Sequence, residues 1–295
     1  MIDGLLVVDK PAGWTSHDVV AKLRGATHQR RIGHAGTLDP DATGVLLVGL
    51  GRVTRLMRFL QETTKEYRGV VSFGVATDTL DAAGVELARQ EMPDLDAAAV
   101  ESVLPRFRGA IEQIPPMVSA LKIDGKRLHE LAREGRVVDR KPRPVQIDRF
   151  VIESFEPGPF PRATVAVECS SGTYIRSLAA DLGTALGGYA HLGSLVRLRV
   201  GAFTLDDANP LEALVDDPLP HVLSPASALR GMETITVEGD REAAIANGKV
   251  FDATMVTVTG DGPYAMLDPA GGLLAVYEQR GTGFKPSVVI PRGGE

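Results

Sequence analysis

The stretch that most constrains this chain runs from Gly33 to Leu46, Gly-His-Ala-Gly-Thr-Leu-Asp-Pro-Asp-Ala-Thr-Gly-Val-Leu. Gly33, Gly36 and Gly44 free the backbone on both sides of Asp39, and Pro40 bars the helical region to the residue before it. The Asp39 carboxylate therefore has a fixed direction. Residues 45–50, Val-Leu-Leu-Val-Gly-Leu, form an apolar run of strand length that braces the loop with core. A plain turn built on Asp-Pro-Asp accounts for the same composition equally well.

The rest of the chain bounds what that loop can belong to. Its 295 residues exceed one typical domain, which predicts a large domain and a smaller one. With 44% hydrophobic and 24% charged residues, the composition is that of an ordinary globular protein. The N-terminal segment sets Asp3 before its apolar run and has no basic lead, unlike a secretory signal. No apolar run approaches the roughly 18 residues of a membrane span. Cys169 is the single cysteine, which excludes an intrachain disulfide and a cysteine-rich metal site. A cytoplasmic protein is expected, and the absence of a self-complementary apolar stripe predicts a monomer.

A net charge of −6 argues on average against a polyanionic partner. The average hides a segregation. Residues 77–104 carry seven acids against Arg89 alone, whereas residues 122–149 carry nine bases against five acids. The second run, with Lys122, Lys126 and Arg127 at its start, has the charge that tracking a phosphate backbone needs, though a solvated helix face has it too.

In chain order, Leu5–Asp9 is β-prone, and the turn Lys10-Pro11-Ala12-Gly13 leads to Ser16, the expected N-cap of a helix to about Leu23. Lys10 at the strand end is either a solvated turn residue or a cation near whatever Asp39 faces. Residues 24–31 are a basic loop, and residues 52–60 predict a helix with Arg52, Arg55 and Arg58 along one side, a stripe that solvent alone can satisfy. Tyr67 stands at the start of an alternating strand. Residues 77–84 are rich in turn and capping residues; their acids lack the histidine or glutamate company of a metal site. An acidic helix is expected over about 96–107.

Beyond it, Gln113 opens an irregular basic segment through Pro115, Pro116 and Lys122, followed by a short helix from Leu128 to Glu134. The Pro-Pro start predicts a semi-rigid arm over a nucleic-acid groove. Residues 150–155 and 163–169 predict strands, Cys169 being a small core residue. A helix is expected from Tyr174 to Leu182, stopped by Gly183. Arg176 in its first turn opposes the helix dipole by roughly 0.3–1 kcal/mol and needs an offsetting carboxylate or phosphate. Asp39 is one candidate. Residues 190–201 mix apolar and basic residues, including Arg197, and 205–220 form an acidic connector. From Glu233 onward, short β-prone runs at 234–237, 254–258, 264–267, 273–277 and 288–290, with one helical piece near 240–247, suggest a small β-barrel.

Taken together, Lys10-Pro11-x-Gly13-x-x-Ser16, Gly33-His34-x-Gly36-x-Leu38-Asp39-Pro40-x-Ala42-x-Gly44-Val45-Leu46, Lys65-x-Tyr67, Ser119-Ala120-x-Lys122-x-x-Gly125 and the run from Ser171 to Gly183 closely resemble the TruB family of bacterial tRNA pseudouridine-55 synthases. The order and spacing match over about residues 4–203. The resemblance implies an α+β (mixed α/β) pseudouridine synthase fold with a long central, mostly antiparallel sheet. It assigns residues 1–220 to the catalytic domain, with an RNA-binding insertion at about 113–149. Residues 233–295, matching more weakly, become a PUA-like RNA-binding domain.

Carried over position by position, Asp39 is the catalytic aspartate, Tyr67 packs on the target base, and Arg176 pairs with the aspartate. Tyr174 and Leu195 line the uridine pocket, His34 contacts the substrate where a base is flipped, and Lys10 also falls on the substrate side. Lys122, Lys126, Arg127 and Arg197 belong to the RNA-binding surface. Val118 and His129 stand where the family often has tyrosine, and Val196 where it often has arginine; these departures touch arm stacking and one phosphate contact. The implied activity is isomerisation of uridine to pseudouridine in the T-stem-loop of tRNA, with no metal or organic cofactor and no required protein partner. Two other classes are weighed beside it: a tRNA-binding, folding-assisting protein with incidental catalysis, and a guide-RNA-dependent synthase subunit. A glycosidase built on Asp39 lacks a second acid in a comparably fixed motif.

Overall fold

In the computed structural model, residues 2–119, 121–123, 126–128, 134, 136, 138–252, 262–281 and 283–290 are described, with backbone alone at 122, 123, 126, 127 and 252. The principal strands are β1 (Gly4–Lys10), β2 (Ile32–Ala35), β3 (Thr43–Leu50), β4 (Lys65–Phe73), β5 (Gly109–Gln113), β6 (Arg143–Glu156), β7 (Arg162–Cys169), β8 (Ala190–Val200), β9 (Glu233–Thr236), β10 (Phe251–Asp252), β11 (Tyr264–Leu267), β12 (Leu273–Arg280) and β13 (Gly283–Val289). The two longest helices are α1 (Ser16–Thr27) and α2 (Ile175–Ala185). The fold is mixed α/β, as expected. The chain forms two units: Met1–Asp39, Val45–Gln61 and Gly201–Glu295 make one, and Pro40–Gly44 with Glu62–Val200 make the other.

In the first unit, β2 runs antiparallel to β3, and residues Val8 and Asp9 of β1 pair in parallel with Asn209 and Pro210. Leu6, Val8, Leu46, Val48 and Leu50 project from these strands onto Val19, Val20 and Leu23 of α1. Burial of such side chains contributes about 1.5–3 kcal/mol each, which is why the near-continuous apolar run after Asp39 forms a strand rather than a loose loop.

Helix α1 begins one residue earlier than Ser16 would cap it. Thr15 is the N-cap, its hydroxyl accepting from Asp18 N while the Asp18 carboxylate accepts from Thr15 N, a reciprocal capping box. The expected helix over 52–60 is a 3-10 turn, Gly51–Arg55, followed by the short helix Met57–Gln61. Its arginine stripe is not left to solvent. Arg52 pairs with Asp3 at 2.6 Å, Arg55 donates to Val289 O at 2.7 Å, and Arg58 donates to Ser287 O at 3.2 Å.

Also in this unit, β9 to β13 form a five-stranded sheet in the order β9-β11-β12-β13-β10. It has its own core of Ile245, Tyr264, Met266, Leu274, Tyr277 and Phe284. The expected strand at 254–258 lies outside the described residues, as does most of the expected helix from Leu128 to Glu134.

The second unit is built on a mixed sheet. β4 lies between β8 and β7, and β6 between β7 and β5, all antiparallel, while Thr43 and Gly44 pair in parallel with Val196 and Arg197 of β8. β6 begins at Arg143, so residues 143–149, expected as the end of the arm, are strand, with Arg143 to Ile147 paired with β5. The acidic helix is Ala97–Val103 with Asp96 as N-cap, continued by a 3-10 turn. Helix α2 packs on β8 and β4. Gly183 does not stop it; the helix runs on to Ala185.

Candidate active site

The loop bearing Asp39 is held from behind. Ser16, fully buried, donates to Leu38 O at 3.2 Å and accepts from Leu38 N at 2.9 Å, so the residue before Asp39 is gripped at both ends of its peptide units. The capping role read for Ser16 thus falls to Thr15, and Ser16 serves the loop instead. Gly36 and Gly44 have φ of +87° and +97°. At Gly44 a Cβ would also come within 2.3 Å of Arg197 O, so only glycine fits.

Lys10 is fully buried, not solvated. Its ammonium donates to Pro11 O at 2.9 Å and Trp14 O at 2.7 Å, tying the turn that delivers the chain to α1. His34 lies half-buried on β2 and meets the His17 ring edge-on at 5.3 Å between centroids.

In the second unit, Tyr67 stands in register with Arg197 of β8 on one side and Val167 of β7 on the other. Lys65, Tyr67, Val71 and Phe73 share the buried face of β4. Leu195 and Arg197 share the buried face of β8. Contrary to the expectation that Arg197 belongs to the RNA-binding surface, its side chain is buried, 1% exposed. A register shift between Arg197 and Arg199 resets the alternation, leaving Arg199 to pair with Glu168 at 2.5 Å. Burial, then the neighbouring Arg197 charge, lowers the Lys65 ammonium to about 8. Burial pushes the Cys169 thiol, opposite Lys65 on β7, up to about 11, so this cysteine is a core residue of low reactivity.

Arg176 is buried in the first turn of α2. It donates to Thr79 O at 3.1 Å and Val118 O at 2.9 Å, and its guanidinium lies 3.4 Å from the Asp81 carboxylate. Asp81 therefore supplies a carboxylate of the kind its position demands. In the sequence Asp81 stands among turn and capping residues, and nothing in spacing links 81 to 176. Tyr174 is the N-cap residue of α2. The backbone of Lys122, Lys126 and Arg127 forms a two-stranded ladder; their side chains are outside the described residues. Among the described residues no group of three or more His, Cys, Asp or Glu side chains is placed to hold a metal ion, and no helix is long and apolar enough to cross a membrane.

Residues 24–175 match the family described as TruB family pseudouridylate synthase (N terminal domain). The chain belongs to the TruB pseudouridylate synthase family. Relatives agree along nearly the whole length. A tRNA pseudouridine synthase B of Symbiobacterium thermophilum is 49% identical over 247 residues, 84% of this chain and 82% of the relative. One of Thermobifida fusca is 42% identical over 300 residues, covering 98% and 99%. Among solved structures, a chain from an H/ACA RNP bound to a substrate RNA containing 2'-deoxyuridine superposes with a TM-score of 0.74 at 22% identity, covering 98% of this chain and 86% of that one. A chain of a Cbf5-Nop10-Gar1 complex gives 0.72 at 24% identity, covering 98% and 85%. These two likenesses show the fold alone.

Proposed function

We propose that this chain isomerises a uridine in the T-loop of tRNA, uridine-55, to pseudouridine, with Asp39 as the catalytic carboxylate. The observation that carries the reading is the 42–49% identity to relatives named tRNA pseudouridine synthase B over most of both lengths. In the reaction the C1′–N1 bond breaks, the uracil turns, and C5 bonds to C1′ while C5 gives up a proton and N1 gains one. The target base first leaves its stack at a cost of a few kcal/mol, which a loop uridine keeps low.

An ionised Asp39 serves as nucleophile at C1′ or C6, or assists elimination across the ribose; all three need an anion at neutral pH. Arg176 is its counter-cation, and Tyr67 holds the ring and helps remove the C5 proton. Tyr174 and Leu195 line the uracil pocket, His34 meets the RNA where the base is flipped, and Lys10 adds positive potential on the substrate side. The latch between Ser16 and Leu38 supports this reading, since an attacking carboxylate requires a fixed approach. Lys122, Lys126 and Arg127 of the arm, with a PUA-like segment over 233–295, bind the rest of the tRNA. The enzyme works as a cytoplasmic monomer.

The test is incubation of wild type and Asp39→Asn with an unmodified tRNA transcript, without guide RNA, and mapping of the modified position. Wild type is expected to modify the T-loop uridine alone; Asp39→Asn is expected to bind the transcript normally and form no product. Residual turnover at the wild-type rate would remove Asp39 from the mechanism, and a requirement for guide RNA would remove the stand-alone activity.

A further inference from the structure

The first turn of α2 is stitched to the segment that leaves β5. Gln113, the last residue of β5 and 2% exposed, makes a two-way amide pair with Tyr174: its Nε2 donates to Tyr174 O at 2.9 Å and its Oε1 accepts from Tyr174 N at 2.7 Å. Ser177 Oγ donates to Ile114 O at 3.0 Å, Arg140 donates to Pro115 O at 3.0 Å, and Arg176 donates to Val118 O at 2.9 Å. The ladder between β5 and β6 ends at Gln113 opposite Arg143. Pro115 and Pro116 have no N–H, so regular structure cannot continue through them. Side chains satisfy the carbonyls that the ladder abandons, and two of the three, Arg176 and Ser177, belong to the helical turn whose Tyr174 peptide Gln113 holds.

We propose that Gln113 and Ser177 are positioning residues that make the root of the arm and the first turn of α2 one rigid piece, so that RNA seated under the arm is felt at Arg176. The inference extends the reading of Arg176 as counter-cation and rests on it. Gln113 matches both the N–H and the C=O of a peptide. Glutamate at the same place keeps the acceptor and loses the donor; alanine loses both.

The experiment uses the full-length protein and an unmodified tRNA transcript, with dissociation constant and single-turnover rate at saturating tRNA measured separately. Gln113→Ala is expected to lower the rate at least about tenfold while affinity changes less than about threefold, and Gln113→Glu and Ser177→Ala to fall between it and wild type. Amide exchange at residues 117–119 is expected to quicken in Gln113→Ala. A Lys122→Ala/Lys126→Ala pair is expected to reduce both rate and affinity in wild type but affinity alone in Gln113→Ala. A wild-type rate in Gln113→Ala, or equal effects of the arm pair in both backgrounds, would overturn the proposal. Arg176→Ala is the separate control. Full activity in that variant would remove the counter-cation reading, whereas unchanged exchange at 117–119 in Gln113→Ala would remove the stitch itself.

Discussion

Lys65 shows how a single buried cation ties stability to pH. It sits at the start of β4, 5% exposed, two residues before Tyr67, with its ammonium donating to Thr63 O at 2.6 Å. The folded chain releases this proton near pH 8 and the unfolded chain near 10.5. Between those values the unfolded state binds one proton more, so the stability that Lys65 withholds below pH 8 is regained as pH rises through the window. The full span is of order 3 kcal/mol. Lys65→Met keeps the length and drops the charge. Its gain in unfolding free energy over wild type is expected to be largest at pH 7 and to shrink by pH 10 in urea titrations. Cys169 titrates in the opposite sense over part of this range; it is present in both proteins, so only its coupling to the Lys65 charge enters the difference. Equal differences at the two pH values would show that folding does not lower the Lys65 pKa. The pairing of residue types Lys65-x-Tyr67 was visible in the sequence; the burial that shifts the lysine was not, because it comes from β7 and β8, each more than a hundred residues away.

Among elements, α2 separates what sequence reveals from what only packing decides. Its start was legible, since Tyr174 and Arg176 fall within the family's longest motif. Its end was not. A glycine after the last apolar position ordinarily marks the left-handed C-terminal residue, and Gly183 fits that pattern. In the structure the role passes to Gly187, with φ of +77°, whose N–H reaches Thr184 O at 3.1 Å while Gly188 N–H reaches Gly183 O at 3.0 Å. Gly183 is required for another reason: a Cβ there would come within 2.4 Å of Ala190 N, where β8 begins. The two glycines therefore differ in cost. Gly187→Ala, with open space around it, is expected to lose about 1–2 kcal/mol from backbone conformation alone. Gly183→Ala has to push β8 off α2 and is expected to lose more, about 3 kcal/mol or above. Chemical denaturation of the two variants checks the order, and a Gly183→Ala protein as stable as Gly187→Ala would mean that β8 yields without cost. The same contrast explains Ser16 and Arg197. Thr15 and Ser16 are equally good caps on paper, and only Asp18, three residues after Thr15, decides. Strand alternation is sound until a register shift moves it, and the shift between Leu192 and Ser194, after which Leu195 and Arg197 take the buried face, leaves no mark in residue type.

For the whole molecule, the question is how a chain of net charge −6 holds a polyanion. The acids of 77–104 are partly neutralised within the fold: Asp81 faces Arg176, Glu86 pairs with Arg89 at 2.5 Å, and Glu101 pairs with Arg108 at 2.9 Å. Arg55 and Arg58 are likewise committed to carbonyls of β13. The proposed RNA-binding surface draws its phosphate contacts from the bases of the 122–149 run. Each such contact releases counterions and adds roughly 0.7–0.9 to the slope of log affinity against log salt. Replacing Lys122, Lys126 and Arg127 together by alanine is expected to flatten that slope by about two to three and to weaken binding most at low salt. Arg55→Ala with Arg58→Ala is expected to leave the slope alone, because those guanidinium groups bind peptide oxygens rather than phosphate. Filter binding of the transcript from 50 to 200 mM salt, on the order used to define such slopes, reads both. A slope that falls with the arginine pair and not with the arm triple would assign the RNA surface to the wrong part of the chain.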